Sequence, residues 1–109
     1  MNPDIKQKWI EALRSGKYEQ GFSVLKKNNR YCCLGVLCEL HSKITNREWI
    51  QGEDGESYDD CDTYLPDVVV EWAGLNSDDP SVVDSLSLAQ LNDVGQTFEQ
   101  IAEFIEKNL

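Results

Sequence analysis

The chain has 109 residues, a net charge of −10 from ten Lys and Arg against twenty Asp and Glu, and 40% hydrophobic residues. That length suits one domain, able to bury roughly 60–65% of its unfolded surface around one core. Its longest apolar run, CCLGVLC at residues 32–38, falls far short of the ~18–20 residues of a membrane helix; the opening MNPDIKQKWI has no basic region followed by an apolar stretch, so the expected location is the cytoplasm.

In NPDIKQKWIEALRSG, Asn2 can cap a helix, Pro3 takes its first position and Asp4 its first turn. Ile5, Trp9 and Leu13 recur at helical spacing and Gly16 supplies a stop, which predicts a helix over 3–15. In YEQGFSVLKKNNRYCC the period changes: Phe22 and Val24 alternate with Ser23 and Leu25, and Asn28–Asn29 tolerate the positive φ of a two-residue turn. A short β-hairpin is expected over 21–33, and two strands alone need helices to lie on.

Leu34, Leu37, Cys38 and His41, broadened by Leu40 and Ile44, restore the helical period over 34–44. Gly35 costs about 1 kcal/mol against Ala inside that helix, which fits a second backbone packed closely there. Residues 53–62 hold six acids and no periodicity, so 51–63 reads as an acidic loop. YLPDVVVEW predicts a helix over 66–73 ended by Gly74, SLAQLND a short helix over 88–93 capped by Ser87, and TFEQIAEFIEKNL a helix over 98–108 with a Thr97/Gln100 capping box. The expected fold is α+β: about four helices around a short β-hairpin, with a single core in one domain spanning 1–109.

The stretch RYCCLGVLCELH, residues 30–41, gathers three cysteines and the only histidine. Structural zinc requires two close ligand pairs; Cys38 and His41 could form one, and the second is missing. A nucleophilic Cys32 or Cys33 would need His41 as its base, yet two helical turns, roughly 10 Å, separate them. The expectation is therefore reduced thiols that pack as small hydrophobes, with His41 solvated or hydrogen-bonded at the helix end and no structural disulfide. The acidic stretch has the composition of a calcium loop without its ordered ligand positions. No phosphate-binding glycine loop, nucleophile elbow or His-Glu metal helix occurs, so no cofactor or metal is expected and an enzyme is not indicated.

Charge is split along the chain: residues 1–30 carry seven bases against three acids, net +4, and residues 31–109 three against seventeen, net −14. Arg14, Lys17, Lys26, Lys27 and Arg30 stand in one basic segment against Glu19, interleaved with Tyr18, Gln20 and Tyr31. Cations beside aromatic faces suit an anionic planar ligand, a nucleotide being the type; these eight residues are the candidate binding set. An ordinary basic hairpin that pairs with acidic surface is the alternative. Duplex nucleic acid is disfavoured because the −14 remainder repels phosphates.

Four stretches, LRSGKYEQG, YCCLGVLCEL, YLPDVVVEWAGL and LNDVGQTFEQIAEFIE, together resemble a family of small proteins common in tailed-bacteriophage and prophage genomes. The likeness covers most of the chain outside about 44–62; FSVLKK after YEQG departs from the glycine- and arginine-bearing pattern. The resemblance transfers no catalytic residue and implies an accessory role in infection, in the host cytoplasm. The expected function is non-catalytic binding, as sequestration of an anionic small molecule such as a nucleotide in counter-defence. The alternative is an acidic protein-interaction module or nucleic-acid mimic that inhibits a host protein. The expected partner is thus an anionic small molecule or a host protein, with no membrane and with a homo-oligomer left open.

Overall fold

In a computed structural model that describes residues 1–109, Asn2 Oδ1 accepts hydrogen bonds from the backbone nitrogens of Asp4, at 2.9 Å, and Ile5, at 3.1 Å, and so opens the first helix. The chain then runs α1 (Pro3–Arg14), β1 (Glu19–Gln20), β2 (Lys26–Lys27), β3 (Arg30–Tyr31), α2 (Cys33–Thr45), β4 (Ile50–Gly52), β5 (Gly55–Ser57), α3 (Asp67–Ala73), β6 (Ser81–Val83), β7 (Leu86–Ser87), α4 (Leu88–Asp93) and α5 (Phe98–Asn108). It is an α+β fold with five helices, and none is long and apolar enough to cross a membrane.

α1 and α5 lie along one another. α1 buries Ile5, Trp9, Ile10 and Leu13, and α5 buries Phe98, Ile101, Ala102 and Ile105. Reciprocal capping boxes, Ser87 with Gln90 and Thr97 with Gln100, start α4 and α5 by satisfying two orphan donors each. α2 is nearly all interior: Cys33, Leu34, Val36, Leu37 and Cys38 have no exposed surface. Trp9, equally buried, donates its indole N–H to the Cys33 carbonyl at 3.0 Å, so α1 is tied to α2 by a hydrogen bond inside the apolar core. A Cβ on Gly35 would overlap the Leu25 carbonyl oxygen, the close backbone approach that its place in a helix implies.

The β-structure is larger than a single hairpin. Five short strands form one sheet in the order β1-β3-β2-β5-β4, with β1 parallel to β3 and the rest antiparallel; β6 and β7 form a separate pair. The hairpin expected over 21–33 narrows to Lys26–Lys27 against Arg30–Tyr31, turning through Asn28 and Asn29 at φ 53° and 62°. Phe22 and Val24 stay outside the ladder because Ser23 takes φ 71° and donates its N–H to Asp93. The acidic loop expected over 51–63 is a correction: β4 and β5 pair there, Ile50 to Ser57 and Gln51 to Glu56, and β5 joins β2 through Lys26 and Glu56. Neither strand carries an apolar alternation, so the pattern that signals a half-buried strand is absent.

Aromatic rings fill the space between the sheet and α2. Trp49 meets Tyr31 and Tyr58 at centroid distances of 6.2 and 5.0 Å, and His41 meets Tyr58 and Trp72 at 5.6 and 5.0 Å. These edge and tilted contacts are the geometries favoured by the ring quadrupole.

Candidate anion-binding cleft

The structure disperses the eight residues of the basic segment instead of gathering them. Arg14 reaches across to α5, with Nε 3.1 Å from Glu99 and a terminal nitrogen 3.4 Å from Glu106. Lys26 is caged: its ammonium lies 3.7 Å from Glu56 and about 5 Å from the ring centroids of both Tyr31 (5.2 Å) and Trp49 (5.1 Å). Tyr31 is buried, and burial pushes its phenol pKa up. Gln20 spends both hydrogens of its amide nitrogen, on Asn92 Oδ1 at 3.0 Å and on the Gln96 carbonyl at 2.7 Å, and so fixes β1.

Lys27 and Arg30 border an open cleft of about 530 Å³ with Glu19 and the half-exposed Phe22. Arg30 stands 3.5 Å from the Glu19 carboxylate, which halves the positive charge that the cleft offers.

Lys17 and Tyr18 contribute to a second cleft, of about 290 Å³, between α1, the following turn and α2. There they are joined by Lys8 and Ala12 from α1 and by Leu40 and Lys43 from α2. The side-chain amide of Gln7 donates to the one carboxylate at the cleft, that of Glu11, at 3.1 Å. The Tyr18 ring is held edge-on to Tyr31 at 5.4 Å, and its hydroxyl accepts a hydrogen bond from Lys43 Nζ at 2.9 Å. That bond is the main cause that raises the Lys43 pKa, with the Glu39 carboxylate adding to it.

The disposition of cations sets this cleft apart. Arg14, Lys26, Arg30, Arg47 and Lys107 each pair with a carboxylate, which leaves Lys6, Lys8, Lys17, Lys27 and Lys43 without one. Three of those five line the same hollow. In a chain with twice as many acids as bases, three lysines converging without a carboxylate partner leave a local positive potential for an anion to occupy. Lys8 and Lys43 escape a reading of the basic segment because they come from two helices distant in sequence. The only local signal is that Lys8 with Ala12, and Leu40 with Lys43, share helical faces.

The sulfur-rich stretch is interior. Cys32, Cys33 and Cys38 are buried, Cys61 is partly so, and all four are free thiols. Burial drives the Cys32 pKa up to about 11 and raises those of Cys33 and Cys38 well above the usual value, so none is a poised thiolate. Of the two expectations for His41, the hydrogen-bonded one holds and the solvated one does not: it is 3% exposed, and its Nδ1 and the Tyr58 hydroxyl share a hydrogen bond of 2.5 Å. Burial, reinforced by Arg47, lowers its pKa. No group of three or more His, Cys, Asp or Glu side chains is placed to hold a metal ion.

Compared with known proteins, the chain matches a family model over residues 1–109, described as "Domain of unknown function (DUF8296)". No curated protein and no solved structure matches it.

Proposed function

We propose, for a chain that belongs to the DUF8296 family and takes no activity from that description, that it acts by binding without catalysis, capturing a small phosphorylated molecule in the Lys8, Lys17, Tyr18 and Lys43 cleft. The observation that carries this reading is the convergence there of three lysines with no carboxylate partner. Ammonium groups hold phosphate oxygens by charge-assisted hydrogen bonds, and as point charges they tolerate varied phosphate geometry. Tyr18, Ala12 and Leu40 offer an apolar wall to a base or other planar group. The cleft's 290 Å³ matches one phosphorylated unit of nucleotide size or smaller, at the low end of ligand pockets, roughly 300–1,000 Å³. In the setting that the likeness to small phage and prophage proteins implies, such capture withdraws a nucleotide-like signal of host defence.

Isothermal titration at low salt with mono- and dinucleotides, pyrophosphate and inorganic phosphate tests the reading. Saturable binding is expected, weakened by about tenfold or more when Lys43→Ala or Lys17→Ala removes one charge–phosphate contact. Arg30→Ala, in the neighbouring cleft, should leave affinity unchanged. A ligand lost with Arg30→Ala and indifferent to Lys43→Ala would sit by Phe22 and Lys27 instead, and an absence of heat across the panel would end the proposal.

A further inference from the structure

The opposite charge is concentrated in the second half of the chain: residues 48–106 hold sixteen acids and no lysine or arginine. Within that half lies a groove of about 400 Å³, walled by Tyr64 ahead of α3, Leu86 at the start of β7, Ala89 on α4 and Val94 just after α4, with Asp79 and Asp93 beside them. Val94 is 76% exposed, Tyr64 46% and Leu86 42%, so three of the six large hydrophobics that the fold leaves open meet in one place. Asp79 accepts the Ala89 N–H at 2.9 Å and Asp93 accepts the Ser23 N–H at 2.9 Å. Neither carboxylate has a cation of this chain within ion-pair distance.

We infer that this groove docks a segment of a partner protein in which apolar side chains are interleaved with lysine or arginine. The apolar side chains seat between Tyr64, Leu86 and Val94, and the cations meet Asp79 and Asp93. Charge selects this occupant. A second copy joined across a two-fold axis would press the same acidic surface against itself. Anionic headgroups and nucleic-acid phosphates are repelled for the same reason. The inference stands apart from the lysine cleft, which shares none of these residues.

Fluorescence anisotropy with a labelled model peptide alternating leucine and lysine at helical spacing tests it, with the leucine–glutamate counterpart as control. The lysine peptide should bind saturably and weaken with salt, and the glutamate peptide should not bind. Replacing Val94 and Leu86 by serine should weaken the lysine peptide by about tenfold or more. Both side chains are exposed, so the fold should survive, as circular dichroism checks. Asp93→Asn, which keeps an acceptor for Ser23, should weaken binding and flatten its salt dependence. Equal affinity of the lysine peptide for the wild type and the double-serine variant would reduce the attraction to general acidity and overturn the inference. Self-association of the wild type in sedimentation that Val94→Ser abolishes would assign the groove to a second copy, and overturn it too.

Discussion

Asn92 Oδ1 stands 3.2 Å from the backbone nitrogen of Cys33 and accepts its hydrogen bond at the start of α2, where Cys32 provides no side-chain cap. The same buried amide accepts from Gln20 and donates to the Gly21 carbonyl at 2.8 Å. One side chain thereby joins α4 to the start of α2 and to the edge of the sheet. Asn92→Ala leaves all three partners unmatched, the Cys33 N–H buried and the other two partly so, and a buried group left unmatched costs about 1–3 kcal/mol. Urea denaturation should show a loss well beyond that of Ser87→Ala, an ordinary cap change of about 1 kcal/mol. Gln20→Ala should likewise lower stability and leave ligand titrations at the lysine cleft unaltered.

Gly35→Ala offers a contest between two opposed effects. Alanine gains about 1 kcal/mol over glycine in helix propensity. Its methyl group would overlap the Leu25 carbonyl oxygen, backbone that can yield only if the segment before β2 moves. Overpacking of that kind costs about 1–3 kcal/mol, so net destabilisation is expected in a chemical denaturation series. A variant as stable as the wild type would show that no such close approach exists.

The His41–Tyr58 pair makes stability depend on pH with a defined sign. The His41 pKa is lowered in the folded chain by burial and by Arg47, whereas an unfolded histidine titrates near 6.5. On acidification the unfolded chain therefore takes up the proton first, so the contribution is complete above about pH 6.5 and is lost as pH falls toward the folded value. The wild type should lose stability relative to His41→Gln between about pH 7 and pH 5, a comparison that cancels the carboxylates common to both. Parallel curves for the two proteins would remove His41 as the cause.

The thiols should divide by burial. In the native protein at mildly alkaline pH an aromatic disulfide reagent should modify Cys61 alone, and slowly, since burial and the neighbouring Asp59 raise its pKa. Cys32, Cys33 and Cys38 should react only at the rate of unfolding, and urea should bring the count to four. Rapid native modification of Cys32 or Cys33 would contradict the interior placement of α2.

Local signals in the sequence mark the helices and their ends. Asn2, Ser87 and Thr97 cap α1, α4 and α5, and Asn28–Asn29 turn β2 into β3, because these devices act within a few residues and leave a readable pattern. Burial of the sulfur-rich stretch was legible too, from the helical period over 34–44 and from the behaviour of reduced cysteine as a small hydrophobe. The sheet was not: Ile50–Gly52 and Gly55–Ser57 have no alternation, and they join the rest of the sheet only through β5, where Glu56 pairs with Lys26 of β2. The fate of the cations was equally hidden. Tertiary packing brings Arg14 to Glu99, cages Lys26 among Tyr31, Trp49 and Glu56, and leaves Lys17 beside Lys8 and Lys43. Composition along the chain fixes how many charges a segment carries, but their partners come from elements distant in sequence, and only the docking of α1, α2 and α5 with the sheet decides which charges are neutralised and which remain to meet a ligand.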